Sequence, residues 1–491
     1  MADTMAPERS APPTPSGSWF DRYFEISARG STTAREIRGG LATFFTMAYI
    51  VVLNPLILAA GADAQGNHLS IPQVAAATAL VAGVMTLLMG VVGRFPLALA
   101  AGLGVNALVA YEIAPKMTWA DAMGLVVIEG VIITVLVLTG LRKAVFSAVP
   151  TGMKTAIAAG IGMFLVLIGL VDSGIVRRQP SGVVPVGLGI NGRLIGWPTL
   201  VFVFALLLTL ILMVWRVRGA ILIGILAATA LALVIEAVAK VGPSFTPPDT
   251  VNPTGWSLNV PAFPSADKVL TTPDLGLLGK FNVLGSWQTV GWLVALMFAF
   301  TLLLTDFFDT MGTMVAVGQE GGLLNENGEP PRTREILLVD SIAAAAGGAA
   351  SVSSNTSYIE SAAGVGEGAR TGAANLVTGL LFLVAMFVSP FVAVVPFEAA
   401  SAALVVVGFL MLTSIRNIDW TDYELAIPAF LTIVLMPFTY SISNGIGAGL
   451  ISYVVLKAVR GKAREIHPLL WAVAALFLLY FLRGELERLL F

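Results

Sequence analysis

SVSSNTSYIESAAGVGEGARTG, residues 351–372, interrupts a very apolar chain with small and hydroxylic side chains and one central carboxylate, Glu360. Asn355 and Glu367 stand only about a dozen residues apart, and apolar runs flank the stretch on both sides. At ~1.5 Å per residue, a helix that short cannot cross ~30 Å of hydrocarbon. The stretch therefore reads as half a span, and half-spans persist only where they line a cavity enclosed by protein.

Composition says what kind of protein encloses it. The chain has 491 residues, 57% hydrophobic and 12% charged, with a mean hydropathy of +0.87. Soluble domains carry about 25% charged residues, so half that share indicates a polytopic membrane protein. A formal net charge of −2 gives no reason to expect a nucleic-acid partner. Cysteine is absent, which excludes disulfides and thiolate metal sites. His68 and His467 fall outside the strong apolar spans, so no metal and no cofactor beyond a coupling ion is expected. Residues 1–17 are polar and proline-rich and read as a disordered leader without a cleavable signal. Trp19 to Arg38 mixes aromatics with four arginines, as a segment on the cytoplasmic membrane face would.

Apolar spans follow at roughly 41–60, 72–92, 120–141, 151–171, 197–216 and 220–239, with a short piece broken by Gly102 and Gly104 at 96–111. A polar, proline-bearing loop at 241–284 then divides a first repeat (18–240) from a second (285–460). The second half repeats the rhythm at 285–318, 334–350, the broken 352–367, 371–395, 397–415, 421–443 and 444–460. In the tail, 461–491, the apolar piece 467–482 reads as short and interfacial. Seven segments per half, the third broken in each, predict an all-α fold of fourteen transmembrane segments in two inverted repeats, with the site where the broken segments meet. One echo supports the repeat: Val149-Pro150 followed by Gly162 matches Val395-Pro396 followed by Gly408, each pair offset by 246 residues. Arg94, Arg142, Lys143, Arg216, Arg218, Arg332, Arg334, Arg370, Arg416, Arg460 and Lys462 then share the face of the N-terminal arginines, while Arg177, Arg178 and Arg193 break the pattern.

Few residues in the spans carry chemistry. Asp306 and Asp309 are three apart in TDFFDTMGTMVAVG (305–318), hence on one helical face near Thr310 and Thr313. A carboxylate at bilayer depth costs roughly 2.5–3.5 kcal/mol on insertion scales, so two in one helix call for a reason. The bland alternative is a helix that ends early, with both aspartates among headgroups. Glu360 has small neighbours, Ser357, Ser361, Ala362, Ala363 and Gly364, that admit a backbone or a flat ligand. Its bland alternative is a carboxylate that only ties helices together. Asn106, in GLGVN (102–106), occupies the matching place in the first half, and an amide can donate and accept at once. Satisfying the broken backbone beside it explains Asn106 equally well. Glu367 and Arg370 read as a solvated or ion-paired helix end, and Glu129, Glu236, Asp340 and Glu398 join no constellation. Neither broken segment holds a lysine or arginine before its end, so an anionic substrate would lack a countercharge. Paired carboxylates suit a neutral ring with adjacent N–H groups, a proton or a cation.

TFFTMAYIVVLNPLIL (43–58), DFFDTMGTMVAVG (306–318) and TSYIESAAGVGEGARTG (356–372) resemble three signature stretches of nucleobase–cation symporter family two, in its azaguanine-like branch of adenine, guanine and hypoxanthine permeases. The resemblance extends from about Trp19 to the C-terminus. It implies a core domain (segments 1–4 and 8–11) against a gate domain (segments 5–7 and 12–14). It also implies a multi-pass protein of the cytoplasmic membrane with its N-terminus inside, lipid-embedded, in a fold whose members often form homodimers. By motif, substrate contact falls to Glu360, Asp306 and Asn106, with Gly104, Ser357 and Thr356 around them. Proton coupling falls to Asp309, Asp306 and Glu360. The expected function is proton-coupled uptake of purine nucleobases, without enzymatic activity. The competing readings are an anion or other small-solute carrier of the same fold, a channel, and an intramembrane aspartyl protease on Asp306 and Asp309. The protease would need carboxylates from two helices and a glycine-x-glycine-aspartate motif that this chain lacks.

Overall fold

The computed structural model describes residues 18–140, 149–178, 185–246, 250–263, 272–325 and 329–490. The leader 1–17, and Arg142 and Lys143 among the orienting basic residues, lie outside them.

After a short helix α1 (Trp19–Phe24), the first span is built from α2 (Thr33–Met47) and α3 (Ile50–Ala60), which break at Ala48 and Tyr49. Helix α4 (Ile71–Leu88) ends in a π-turn, and the chain then extends as β1 (Leu99–Ala101) before α5 (Leu103–Leu108) and a second π-turn, Val109–Ile113. Helices α6 (Trp119–Thr139) and α7 (Thr151–Asp172), the hairpin β2 (Val176–Arg178) and β3 (Val186–Leu188), then α8 (Trp197–Val214) and α9 (Ala220–Ala239) complete the first half. The dividing loop carries β4 (Phe245–Thr246), β5 (Thr250–Val251) and α10 (Gly285–Thr289). The second half runs α11 (Gly291–Glu320), α12 (Thr333–Ala349), β6 (Asn355–Ser357), α13 (Ser361–Gly366), α14 (Ala373–Ala385), α15 (Phe397–Leu412), α16 (Tyr423–Phe438) and α17 (Ile442–Val459). A last helix, α18 (Pro468–Leu490), continues past the apolar piece 467–482 and packs on α17 and α11.

Nine helical stretches among the described residues are long and apolar enough to cross a membrane, with α2 and α3 counted together and α15 with the turn that follows it. The other segments expected from the sequence are the two broken ones and α12, α14 and α16, which have 17, 13 and 16 residues. Two groups of helices pack among themselves. One joins α6 to α11 and α12, and α14 to α2 and α4; the other joins α7 to α15 and α16, and α8 to α9 and α15. The repeat echo lies at the heart of the second group. Pro150 and Pro396 precede α7 and α15, where a missing N–H costs nothing. Gly162 and Gly408 then face each other across the α7–α15 crossing, and a Cβ on Gly162 would stand 2.6 Å from the Gly408 carbonyl oxygen.

The broken segments differ in one respect from a pair of bare half-helices. β1 and β6 pair antiparallel, with Leu99 opposite Ser357 and Ala101 opposite Asn355. Extended backbone in hydrocarbon has no water to bond, so each strand satisfies the other. Flanking bonds extend the junction: Gly102 N donates to Ser354 O at 2.9 Å, and Ala98 N to Ser361 Oγ at 2.9 Å. Asn375 Nδ2 fastens the approach to β1 by donating to the Phe95 and Leu97 carbonyls at 3.0 and 2.8 Å. The crossing is thus fixed before α5 and α13 begin.

Candidate substrate-binding site

Where α5 and α13 start, a narrow cavity of about 90 Å³ lies between the two groups of helices. Tyr49, Gly104, Asp309, Ser357 and Glu360 line one wall, and Ile157 and Ile161 of α7 with Val407 and Met411 of α15 line the other. One wall carries the polar groups and is built from the broken elements and the continuous helix α11; the other is apolar and built from α7 and α15. Gly104 is small for a reason, since a Cβ there would come within 2.7 Å of the Ile161 side chain.

Glu360 sits at the residue before α13, with no capping bond from its own side chain to that helix. Its Oε1 instead accepts the Tyr49 hydroxyl at 2.5 Å. Tyr49 lies at the break between α2 and α3, which turns its ring toward the crossing. A hydroxyl–carboxylate bond of this kind is charge-assisted and holds the carboxylate in one orientation.

Behind this wall the hydroxyls form a brace. Asp340 of α12 accepts from Thr310 Oγ1 and Ser357 Oγ, both at 2.7 Å, and Thr310 Oγ1 lies 2.8 Å from Thr356 Oγ1. Asp340, which the sequence left without a role, therefore ties α11 to β6. The sequence-derived residues divide accordingly. Glu360, Asp309, Gly104 and Ser357 line the cavity. Asp306 and Thr356 are buried beside it, Asp306 Oδ1 accepting from Ser354 Oγ at 3.3 Å. Asn106 is fully buried, and its amide oxygen and nitrogen have no hydrogen-bond partner among the described residues. Buried amides are rarely left so, and a ligand or water is the usual reason for one.

Sequence reasoning missed Tyr49, Tyr358 and the apolar wall. Tyr49 and Tyr358 each lie inside a quoted signature, but nothing local marks either as part of the cavity wall; the wall residues look like any other lipid-facing aliphatics. The bland reading of Glu367 and Arg370 holds: Glu367 pairs with Arg38 at 2.8 Å and with Arg218, and Arg370 donates to backbone carbonyls. Glu236 and Glu398 pin the dividing loop, accepting from Trp256 Nε1 and from Ser257 N and Oγ, each at 2.8 Å.

Two half-helices entered from paired strands, set against an apolar second domain around a carboxylate-lined cavity, define a polytopic membrane carrier. Comparison with known proteins gives its family. The permease family model Xan_ur_permease matches residues 34–447, and the chain belongs to that family. The guanine/hypoxanthine permease PbuG of Bacillus subtilis is 39% identical over 467 residues, 94% of this chain and 99% of that protein. The adenine permease AdeP of Escherichia coli is 33% identical over 463 residues, 94% of this chain and 95% of that protein. Among solved structures, the transmembrane domain of the cyanobacterial bicarbonate transporter BicA aligns with a TM-score of 0.56 at 17% identity, covering 85% of this chain and 97% of that one. The murine anion transporter Slc26a9 in its inward-facing state aligns with a TM-score of 0.57 at 11% identity, covering 87% and 68%. The chain thus has the two-domain inverted-repeat fold of these carriers and is a transporter, not an enzyme. The group with α2–α6 and α11–α14 is its core domain, and the group with α7–α9 and α15–α17 its gate.

Proposed function

We propose that this protein takes up purine nucleobases, guanine, hypoxanthine or adenine, by proton-coupled alternating access across the cytoplasmic membrane, with its N-terminus inside. The observation that carries the reading is the Glu360 carboxylate, facing a narrow cavity and held by one phenol. A carboxylate accepts N–H donors, and each of these bases offers one or more: guanine adjacent ring and exocyclic N–H groups, hypoxanthine ring N–H groups, and adenine an exocyclic amine and a ring N–H. Asp309 is the second carboxylate on the cavity wall, and the Asn106 amide has donor and acceptor capacity to spare. Asp306 acts from the second layer through Ser354. The curated relatives that match nearly the whole chain include permeases for guanine, hypoxanthine and adenine, which supports the same substrate class here.

Among the described residues, no lysine or arginine lines the cavity. That weighs against an anion carrier on the same fold, whose cargo would face two carboxylates here. Two carboxylates without a countercharge favour a proton as the coupled ion. One proton moving down 100 mV supplies roughly 2.3 kcal/mol. At about 1.4 kcal/mol per decade, that drives accumulation on the order of fifty-fold. The cycle calls on no resident cofactor.

Uptake of labelled adenine, guanine, hypoxanthine, xanthine and uracil into proteoliposomes, with and without an inwardly directed proton gradient, tests the proposal. Saturable purine uptake that rises with the gradient is expected. Uptake of uracil in preference to purines, or no purine uptake at all, would overturn it.

A further inference from the structure

The cavity is walled by both domains, so substrate can leave only where core and gate separate, and whatever joins them beside the exit sets that step. On the face where α7 ends, two consecutive core residues cross to the gate. Tyr111 and Glu112 lie in the π-turn Val109–Ile113, shortly after Asn106 in the same broken segment. π-turns reorient side chains and cluster at functional positions. The Tyr111 hydroxyl lies 3.5 Å from Asp172 Oδ2 at the end of α7, and its ring meets Tyr440 edge-on at 6.2 Å.

Glu112 does more. Only 4% exposed, it accepts from Ser441 Oγ at 2.8 Å, Ile442 N at 2.9 Å and Ser443 N at 3.4 Å. Those are the cap residue and the first free N–H groups of α17, a gate helix. A carboxylate from one domain thereby serves as the anionic cap of a helix in the other. Both the open N–H groups and the helix dipole favour it. The receiving joint is built for this contact: Tyr440 adopts φ +51°, in the left-handed region that non-glycine residues rarely occupy, to turn α16 back into α17. The contrasting inter-domain contact at the other face is the pair of Arg218 with Glu367, whose arginine is 58% exposed. With its cation mostly in solvent, that pair is screened and contributes less than a fully buried contact.

We propose that Glu112 is a positioning residue for the transport cycle: a latch by which the core's broken third segment grips the N-terminus of α17 and keeps the substrate cavity shut on that face. Opening toward that face requires all three bonds to break together, which makes Glu112 a control point for the conformational step and not for binding. The proposal rests on the carrier reading, but not on the identity of the substrate.

The chain has no cysteine, so one introduced thiol reports without background. Ile168 on α7 is fully buried, two turns beyond the cavity residue Ile161 toward Asp172. In full-length Ile168→Cys protein, labelling by a membrane-impermeant maleimide should be slow. Adding Glu112→Ala should speed it about tenfold or more, the scale of a lost charged hydrogen bond. Glu112→Gln, which keeps the side-chain shape, should give a smaller rise in the same direction. Hypoxanthine affinity should stay within about threefold of the parent while turnover changes, a split that a packing role would not give. Ser441→Ala should add nothing once Glu112 is alanine, since the two share one interaction. Unchanged labelling in both Glu112 variants would overturn the latch, as would a rise seen only with lost hypoxanthine binding. Hypoxanthine binding by the protein without the introduced cysteine tests the purine reading separately, and the labelling rates decide the latch whether or not that protein binds it.

Discussion

Glu360 takes its role from three neighbours: a phenol on one oxygen, the first turn of a six-residue helix after it, and a cavity in front. Replacing it with alanine removes the proposed acceptor for substrate and the carboxylate that accepts the Tyr49 hydroxyl. Purine affinity should fall about ten- to a hundred-fold, the 1.5–3 kcal/mol of a hydrogen bond to a charged group. Tyr49→Phe removes only the orienting donor, so the acceptor persists but swings. Affinity should drop several-fold, on the order of 1 kcal/mol, and titration calorimetry with hypoxanthine distinguishes the two variants. Glu360 was legible in the sequence because a lone carboxylate among small residues in an apolar chain has few cheap explanations. Tyr49 was not, because its importance depends on a helix break that no proline or glycine at the break itself announces.

At the scale of elements, the half-helices were readable from length alone, and the strands feeding them were not. Each strand has three residues, and the two lie about 250 residues apart in sequence. No local pattern encodes such a pairing; it arises because buried backbone must find a partner. The α7–α15 crossing was readable in part, since the Val-Pro and glycine echo marked both helices without showing that Gly162 and Gly408 touch. Their contact makes a prediction. Gly162→Val places carbon against the Gly408 carbonyl in the gate's closest packing. Overpacking costs typically 1–3 kcal/mol, so the variant should melt several degrees lower in detergent, measured by fluorescence-detected gel filtration during heating. Arg218→Ala, which removes a largely exposed partner of Glu367, should change the uptake rate less than about twofold and leave the melting temperature nearly unchanged.

Over the whole molecule, the division into core and gate follows from chemistry that the sequence distributes unevenly. Broken, hydroxyl-rich segments fall in the core, and unbroken aliphatic helices fall in the gate. A polar wall thus meets an apolar one at the only place where half-helices can survive. On the proposed reading, the core side selects the substrate and contact with the gate closes the cavity. The grip of Glu112 on α17 belongs to this scale, and so does the loop 241–284, which Trp256 and Ser257 pin to Glu236 and Glu398. Neither was readable in the chain, since each joins residues whose local sequence looks like ordinary helix ends. The central claim is that the Glu360 carboxylate binds a purine through its N–H edge. Calorimetric titration of purified protein with hypoxanthine, for the parent and for Glu360→Gln at one pH, tests it most directly. Saturable binding in the parent and a loss of at least tenfold in the amide variant are predicted. Equal affinity in the two proteins would contradict the account.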